Sequence, residues 1–213
     1  MPKDPANATA AGRVGENTPE PLDYGALFRH SGPPHGSKPE MTTNEMPATP
    51  DDLFACLDRL GIAHSTISHP PLFTVEESVA LRGSIPGGHN KNLFLKDRNG
   101  RLFLLVLLED ATVDLKALPK LLECGRLSFG SAELMRETLG VEPGSVTPFA
   151  LINDQARRIT PVLDQAMLAH DLLNYHPLVN TMTTTIRRDD LLKFVAAMGH
   201  SPLIRAVSAR PAI

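Results

Sequence analysis

Three short stretches of this chain carry the side chains that could do chemistry. The first is Gly87-Gly88-His89-Asn90-Lys91-Asn92. If Asn90 to Lys96 is extended, Lys91, Leu93 and Leu95 point to one face. A lysine sharing a face with two leucines either snorkels from a strand end, the commoner case, or occupies a pocket. Its setting favours the pocket. The glycines let a backbone approach a ligand, and an ammonium is a compact cation suited to a phosphate or carbonyl oxygen. The second stretch is Gly144-Ser145-Val146-Thr147-Pro148, preceded by Pro143. Such a loop can present its amides to an anion or carbonyl, or can be a plain connection. The third is Asn174-Tyr175-His176-Pro177-Leu178-Val179-Asn180-Thr181, where the proline holds His176 extended. An isolated histidine is usually structural or exposed. This one gains interest from Asn174 and Asn180 beside it. The threonines at 181, 183, 184 and 185 suit a strand in any case.

Other chemistries lack their patterns. There is no Gly-x-Ser-x-Gly, no Walker loop and no Gly-x-Gly-x-x-Gly, and neither Cys56 nor Cys124 has a histidine close in sequence. The histidines at 30, 35, 64, 69, 89, 170, 176 and 200 show no metal-ligand spacing with either cysteine, so neither a metal nor a cofactor is expected. Without an export signal the two cysteines read as buried thiols of a cytosolic protein.

The elements that must position these groups are readable in outline. Pro50 to Gly61 reads as a helix, with Leu53, Phe54, Leu57 and Leu60 on one face and Gly61 as its stop. Ile62 to His69 reads as a short strand, and Thr74-Val75-Glu76-Glu77 as a capping box opening a helix through Leu81. Lys91–Lys96 and Arg101–Leu108 form the strongest hairpin signal, turning at Asp97-Arg98-Asn99-Gly100. The second arm is apolar on both faces and should be buried on both. Asp114 can cap a helix over 115–122, and Ser131 one over 132–139 with Leu134, Met135 and Leu139 inward and Gly140 closing it. Residues 149–152, 159–163, 172–175 and 181–186 are strand candidates, and Asp189 to Met198 is helical. Helices and strands mix without regular alternation, which favours α+β.

Composition divides the chain. Of its 213 residues, 42% are apolar, yet nine of the 19 prolines lie in the first 50 and large apolar side chains are scarce there. Such a stretch cannot offset the entropy of its own ordering. The expected organisation is a disordered leader over 1–46, one domain over 47–205 and a tail over 206–213. Met41 and Met46 both precede the first helix, as an over-extended start would leave them. The leader has no apolar core to make a secretory signal, and its acids argue against a transit peptide. No run of 18 apolar residues exists, so no membrane helix is expected. Beyond Glu45 there are 17 basic against 18 acidic residues, so any nucleic-acid contact must be local rather than a general grip on phosphates. From the residues alone the reading stops at a soluble α+β domain with a polar Lys/Asn/His site.

Taken together, three motifs go further. Gly87 to Asp97, then Arg126-Leu127-Ser128-Phe129-Gly130-Ser131 leading into Leu139 to Phe149, then Asn174 to Asn180 stand in an order and spacing that resemble the YbaK/ProX family, the prolyl-tRNA synthetase-associated domains. Within it the likeness is greatest to free-standing alanyl-tRNA(Pro) deacylases, and it covers about Asp51 to His200. The resemblance implies an α+β (α/β) fold, a curved and mainly antiparallel sheet packed with helices. It implies hydrolysis of the ester joining a wrong amino acid to tRNA, alanine on tRNA(Pro), in the cytoplasm and without cofactor or metal. A Cys-tRNA(Pro) or broad small-residue deacylase is the alternative within the class, and a non-catalytic tRNA- or synthetase-binding module the alternative outside it. The implied partners are the 3′ end of mischarged tRNA(Pro) and prolyl-tRNA synthetase, with no DNA and no membrane. Lys91 falls on the family's active-site lysine and His176 on a pocket histidine, here grouped as catalytic. Gly144, Ser145, Val146, Thr147 and Pro148 match the Gly-x-x-x-Pro substrate loop, with Asn92 and Asn180 as further substrate-binding residues. Tyr175 stands where phenylalanine is more usual.

Overall fold

The computed structural model describes residues 46–70 and 85–208. The expected leader, the helix at 74–81 and the last five residues of the tail lie outside them. Leu102 to Leu107, apolar without alternation, are each no more than 3% exposed and form the middle of the sheet. An unbroken apolar strand demands cover on both faces. Phe103, Leu105 and Leu107 meet Leu95, Leu118, Leu122, Leu127, Val162 and Val207 on one face. Leu104 and Val106 turn to the other, equally buried.

The strands are β1 (His64–Ser68), β2 (Gly88–Asp97), β3 (Leu102–Leu108), β4 (Leu127–Phe129), β5 (Ile159–Asp164), β6 (Leu172–Tyr175), β7 (Met182–Arg187) and β8 (Leu203–Arg205). The helices are α1 (Pro50–Arg59), α2 (Leu118–Leu121), α3 (Ala132–Leu139) and α4 (Arg188–Ala197). Sheet order is β1-β7-β6-β2-β3-β5-β8, with β4 also on β2. The β2–β3, β2–β4, β6–β7 and β1–β7 ladders are antiparallel, whereas β2–β6, β3–β5 and β5–β8 are parallel. This is the expected mixed α and β fold. No helix among the described residues is long and apolar enough to cross a membrane.

One detail of the topology matters for the site. On the side away from β3, β2 pairs with β6 only at Gly88 and His89, and with β4 only from Leu95 to Asp97. Among the described residues no strand lies along Asn90 to Phe94. The edge is notched where the candidate Lys91 and Asn92 stand.

Local chemistry sets the helix ends. Thr49 and Asp52 form a reciprocal capping box at α1, whose buried face is Leu53, Cys56 and Leu57. Leu60 is only half-buried, and Phe54 leaves the core to stack on His64 at 5.3 Å. Ser131 caps α3 through the Leu134 amide, and Gly140 ends it in the left-handed region; Met135, Thr138 and Leu139 are buried, with Leu134 at the margin. Tyr175 is buried, its ring edge-on to Phe149 at 5.8 Å and its hydroxyl donating to Met167 Sδ. Phe149 in turn meets Phe194 of α4 at 5.5 Å.

Three expectations are corrected. Residues 149–152 are not a strand but part of a 3-10 helix, Pro148–Asn153, because Thr147 Oγ1 accepts from the Phe149 amide and Pro148 suits a first helical position. The helix over 115–122 shrinks to α2. Asp114 Oδ1 accepts from the Lys116 amide in a local turn, and Pro119 cannot donate back to Leu115. Cys124 is only partly buried, although Cys56 is in the core; both are free thiols. Strands β4 and β8, three residues each, are too short to show a period.

Candidate functional site

The loop after α3 is the best-defined part of the site. Gly144 has φ +92°, a conformation that L side chains rarely adopt, so glycine is required by the turn itself. Arg136 clasps Glu142 with two hydrogen bonds at 2.7 and 2.8 Å, tying the loop's start to α3. Ser145, Thr147 and Pro148 are buried and hold the loop's shape. The Ser145 amide donates to Glu142 O, and Thr147 caps the 3-10 helix. The amides of Gly144 and Val146 have no acceptor among the described residues, and these two residues reach the surface. Unsatisfied amides at an exposed turn are ready donors for a carbonyl or anion.

Asn92 sits over the notch and fixes this loop to β2, its Nδ2 donating to Val146 O at 2.9 Å. The Asn180 amide nitrogen lies 3.8 Å from where a Cβ on Gly144 would be. Asn92 and Val146, 54 positions apart, and Gly144 and Asn180, from two further segments of the chain, therefore meet.

His176 opens the loop that carries Asn180. Residues 176–182 fold back tightly, with Leu178 at φ +70° and its amide donating to His176 O. His176 Nδ1 lies 2.9 Å from Met182 O. A carbonyl only accepts, so Nδ1 carries the proton and Nε2 keeps the lone pair. Burial pushes the His176 pKa below its ordinary 6.5; the Met182 carbonyl pulls the other way and nearby His69 adds to the lowering. The ring is therefore neutral at pH 7.

His69 was not singled out from sequence, yet its ring is 6.4 Å from that of His176. Its Nδ1 faces Pro70 O at 2.9 Å and its Nε2 faces Thr183 Oγ1 at 3.0 Å. It anchors the end of β1 beside the His176 loop. A lone histidine before two prolines carries no motif that would reveal this.

Lys91 does not join the cluster. Successive strand residues face opposite ways, so Lys91 shares Leu93's and Leu95's side while Asn92 shares Phe94's. Lys91 Nζ donates to Ala111 O, which leaves two of its three N–H donors for a ligand. The Gly87-Gly88 pair serves the fold rather than a ligand: a Cβ on Gly87 would lie 2.6 Å from Leu172 O. Asn174 is likewise structural, donating to Pro86 O and Gly88 O and accepting from Thr185 Oγ1. No group of three or more His, Cys, Asp or Glu side chains suited to a metal occurs among the described residues.

Comparison with known proteins bears on this arrangement. Residues 69–194 match the family described as the aminoacyl-tRNA editing domain. The chain is 38% identical over 150 residues to the prolyl-tRNA synthetase associated domain-containing protein 1 of Danio rerio, covering 70% of this chain and 82% of that one. It is 33% identical over 150 residues to the prolyl-tRNA editing protein ProX of Acetoanaerobium sticklandii, covering 70% and 92%. A solved structure described as a candidate trans-editing enzyme for prolyl tRNA synthetase superposes with a TM-score of 0.60 at 18% identity, over 76% of this chain and 97% of that one. That last likeness concerns the fold alone.

Proposed function

The chain belongs to the aminoacyl-tRNA editing domain family, of the YbaK/ProX type, and from that premise we propose that it is a trans-acting deacylase that hydrolyses Ala-tRNA(Pro) to alanine and tRNA(Pro) in the cytoplasm. The observation that carries the reading is the loop at 144–148, pinned by Asn92 and lying against Asn180, with the amides of Gly144 and Val146 lacking acceptors among the described residues.

An aminoacyl ester is already activated, so catalysis can rest on holding the carbonyl, stabilising its developing oxyanion and placing a water. The Gly144 and Val146 amides receive the substrate carbonyl. Ser145, Thr147 and Pro148 keep the loop rigid. Asn92 and Asn180 set its position. His176, neutral with Nε2 as acceptor, shapes the pocket and can take a proton from water. Lys91, reaching from the other face of the notched strand, holds the terminal adenosine or its phosphate as the 3′ end crosses the edge. The names of ProX and of the other relatives support a tRNA substrate and an association with prolyl-tRNA synthetase. Alanine is preferred over proline by pocket size. A methylene is worth only roughly 1–3 kcal/mol in such discrimination, which is why a separate editing step is useful.

The test of the site is Lys91→Ala. Deacylation under single-turnover conditions should fall by at least a hundredfold while thermal unfolding stays within a degree or two. Full activity in a folded variant would remove the lysine from the mechanism.

A further inference from the structure

Two histidines from distant parts of the chain hold consecutive residues of β7. His176 Nδ1 lies 2.9 Å from Met182 O, and His69 Nε2 lies 3.0 Å from Thr183 Oγ1. The ring centroids are 6.4 Å apart, with the ring planes inclined at 51°. The β1–β7 ladder accounts for the placement. Ile67 pairs with Thr183 and Ser68 with Met182, and the His69 amide carries the ladder on by donating to Thr181 O. Alternate strand residues share a face, so the His69 ring and the Thr183 hydroxyl stand on the same side of the sheet.

The hydrogen inventory fixes the His69 ring at two points. Pro70 O, 2.9 Å from Nδ1, can only accept. In the neutral ring the proton therefore sits on Nδ1, and Nε2 accepts from the Thr183 hydroxyl. Thr183 is buried, so water does not readily replace that bond. Among the described residues the His176 ring is held by a single hydrogen bond, from Nδ1 to Met182 O. The Met182 carbonyl and the Thr183 amide belong to one rigid peptide unit. Whatever holds Thr183 also holds the carbonyl that orients His176.

We infer that His69 is a positioning residue for His176: by gripping Thr183 it fixes the Met182 carbonyl, and with it the ring orientation that presents His176 Nε2 as an acceptor. The inference rests on the deacylase reading above and adds to it a residue that acts through another side chain. The closeness of the rings also disfavours charging both. Burial lowers the His176 pKa most, the Met182 carbonyl opposes it, and charge on His69 adds to the lowering. Neither residues 177–181 nor Met182 to Thr185 include another titratable group, and Tyr175 turns away to Phe149.

The test is a double-mutant cycle on single-turnover deacylation, with the His176 titration followed by NMR in the same proteins without tRNA. His69→Ala and Thr183→Val should each lower the rate about 10- to 100-fold with half-saturation within about twofold, and the double variant should be no slower than the slower single. His69→Gln, whose side-chain oxygen can still accept from Thr183, should recover most of the rate. Lacking a ring charge, it should also move the His176 midpoint upward. Losses that multiply in the double variant, a full rate in His69→Ala, or a His176 midpoint unmoved by His69→Gln would each overturn the inference. The titration keeps the two readings apart. An upward midpoint in a protein that hydrolyses no aminoacyl-tRNA would sink the deacylase reading and support the coupling of the rings, whereas hydrolysis with an unmoved midpoint would do the reverse.

Discussion

The proton inventory at His176 gives the residue scale its sharpest consequence. Met182 O fixes the Nδ1 proton, so the acceptor is Nε2, and burial holds the ring's pKa below 6.5. A lowered pKa means the neutral form persists through pH 7 and is lost only on further acidification. We therefore expect kcat/KM for deacylation to be flat around neutrality and to fall on an acid limb centred below 6.5. His176→Asn, which keeps a donor for Met182, should show lower activity without that limb. An unchanged limb in the variant would assign the titration to another group. The same scale accounts for the polar end of the buried Tyr175. Its hydroxyl finds Met167 Sδ, and burial raises the phenol well above its ordinary range, so it stays un-ionised.

Among the elements, the loop at 144–148 links local conformation to chemistry most directly. Gly144→Ala meets no atom closer than the 3.8 Å to Asn180, so its effect isolates backbone conformation from crowding. Holding an alanine at φ +92° costs about 1–2 kcal/mol. We expect chemical denaturation to show a loss of at most that size, and the single-turnover rate to fall further than the loss of folded protein explains. A rate lowered only in proportion to folding would show that the loop's amides do not position the substrate. Much at this scale was legible in the sequence. The Asp97–Gly100 hairpin and the buried β3 followed from turn chemistry and an unbroken apolar run, and the Ser131 cap and Gly140 stop from residue type. Residues 149–152 were misread because a buried apolar tetrapeptide has no period to separate a strand from a 3-10 turn. The three site motifs were each visible in isolation. Their meeting was not, since the Asn92–Val146 bond depends on a notch in the sheet that only the pairing of β2 with both β6 and β4 creates. The separation of Lys91 from Asn92 follows from strand parity alone, but its consequence emerges only with the two faces in view.

For the molecule as a whole, the balance of 17 basic against 18 acidic residues beyond Glu45 argues against a general grip on phosphates. The loops at 144–148 and 176–182 meet at the notched middle of β2. On the proposed function, such a molecule would hold an RNA end locally rather than along its length. The central claim is that this chemistry is editing of alanine on tRNA(Pro). The direct measurement is release of free amino acid from tRNA(Pro) charged in turn with alanine, cysteine, serine and proline. Rapid release of alanine with proline left on its tRNA is the predicted result; no release of any amino acid, or release of proline as fast as alanine, would contradict it.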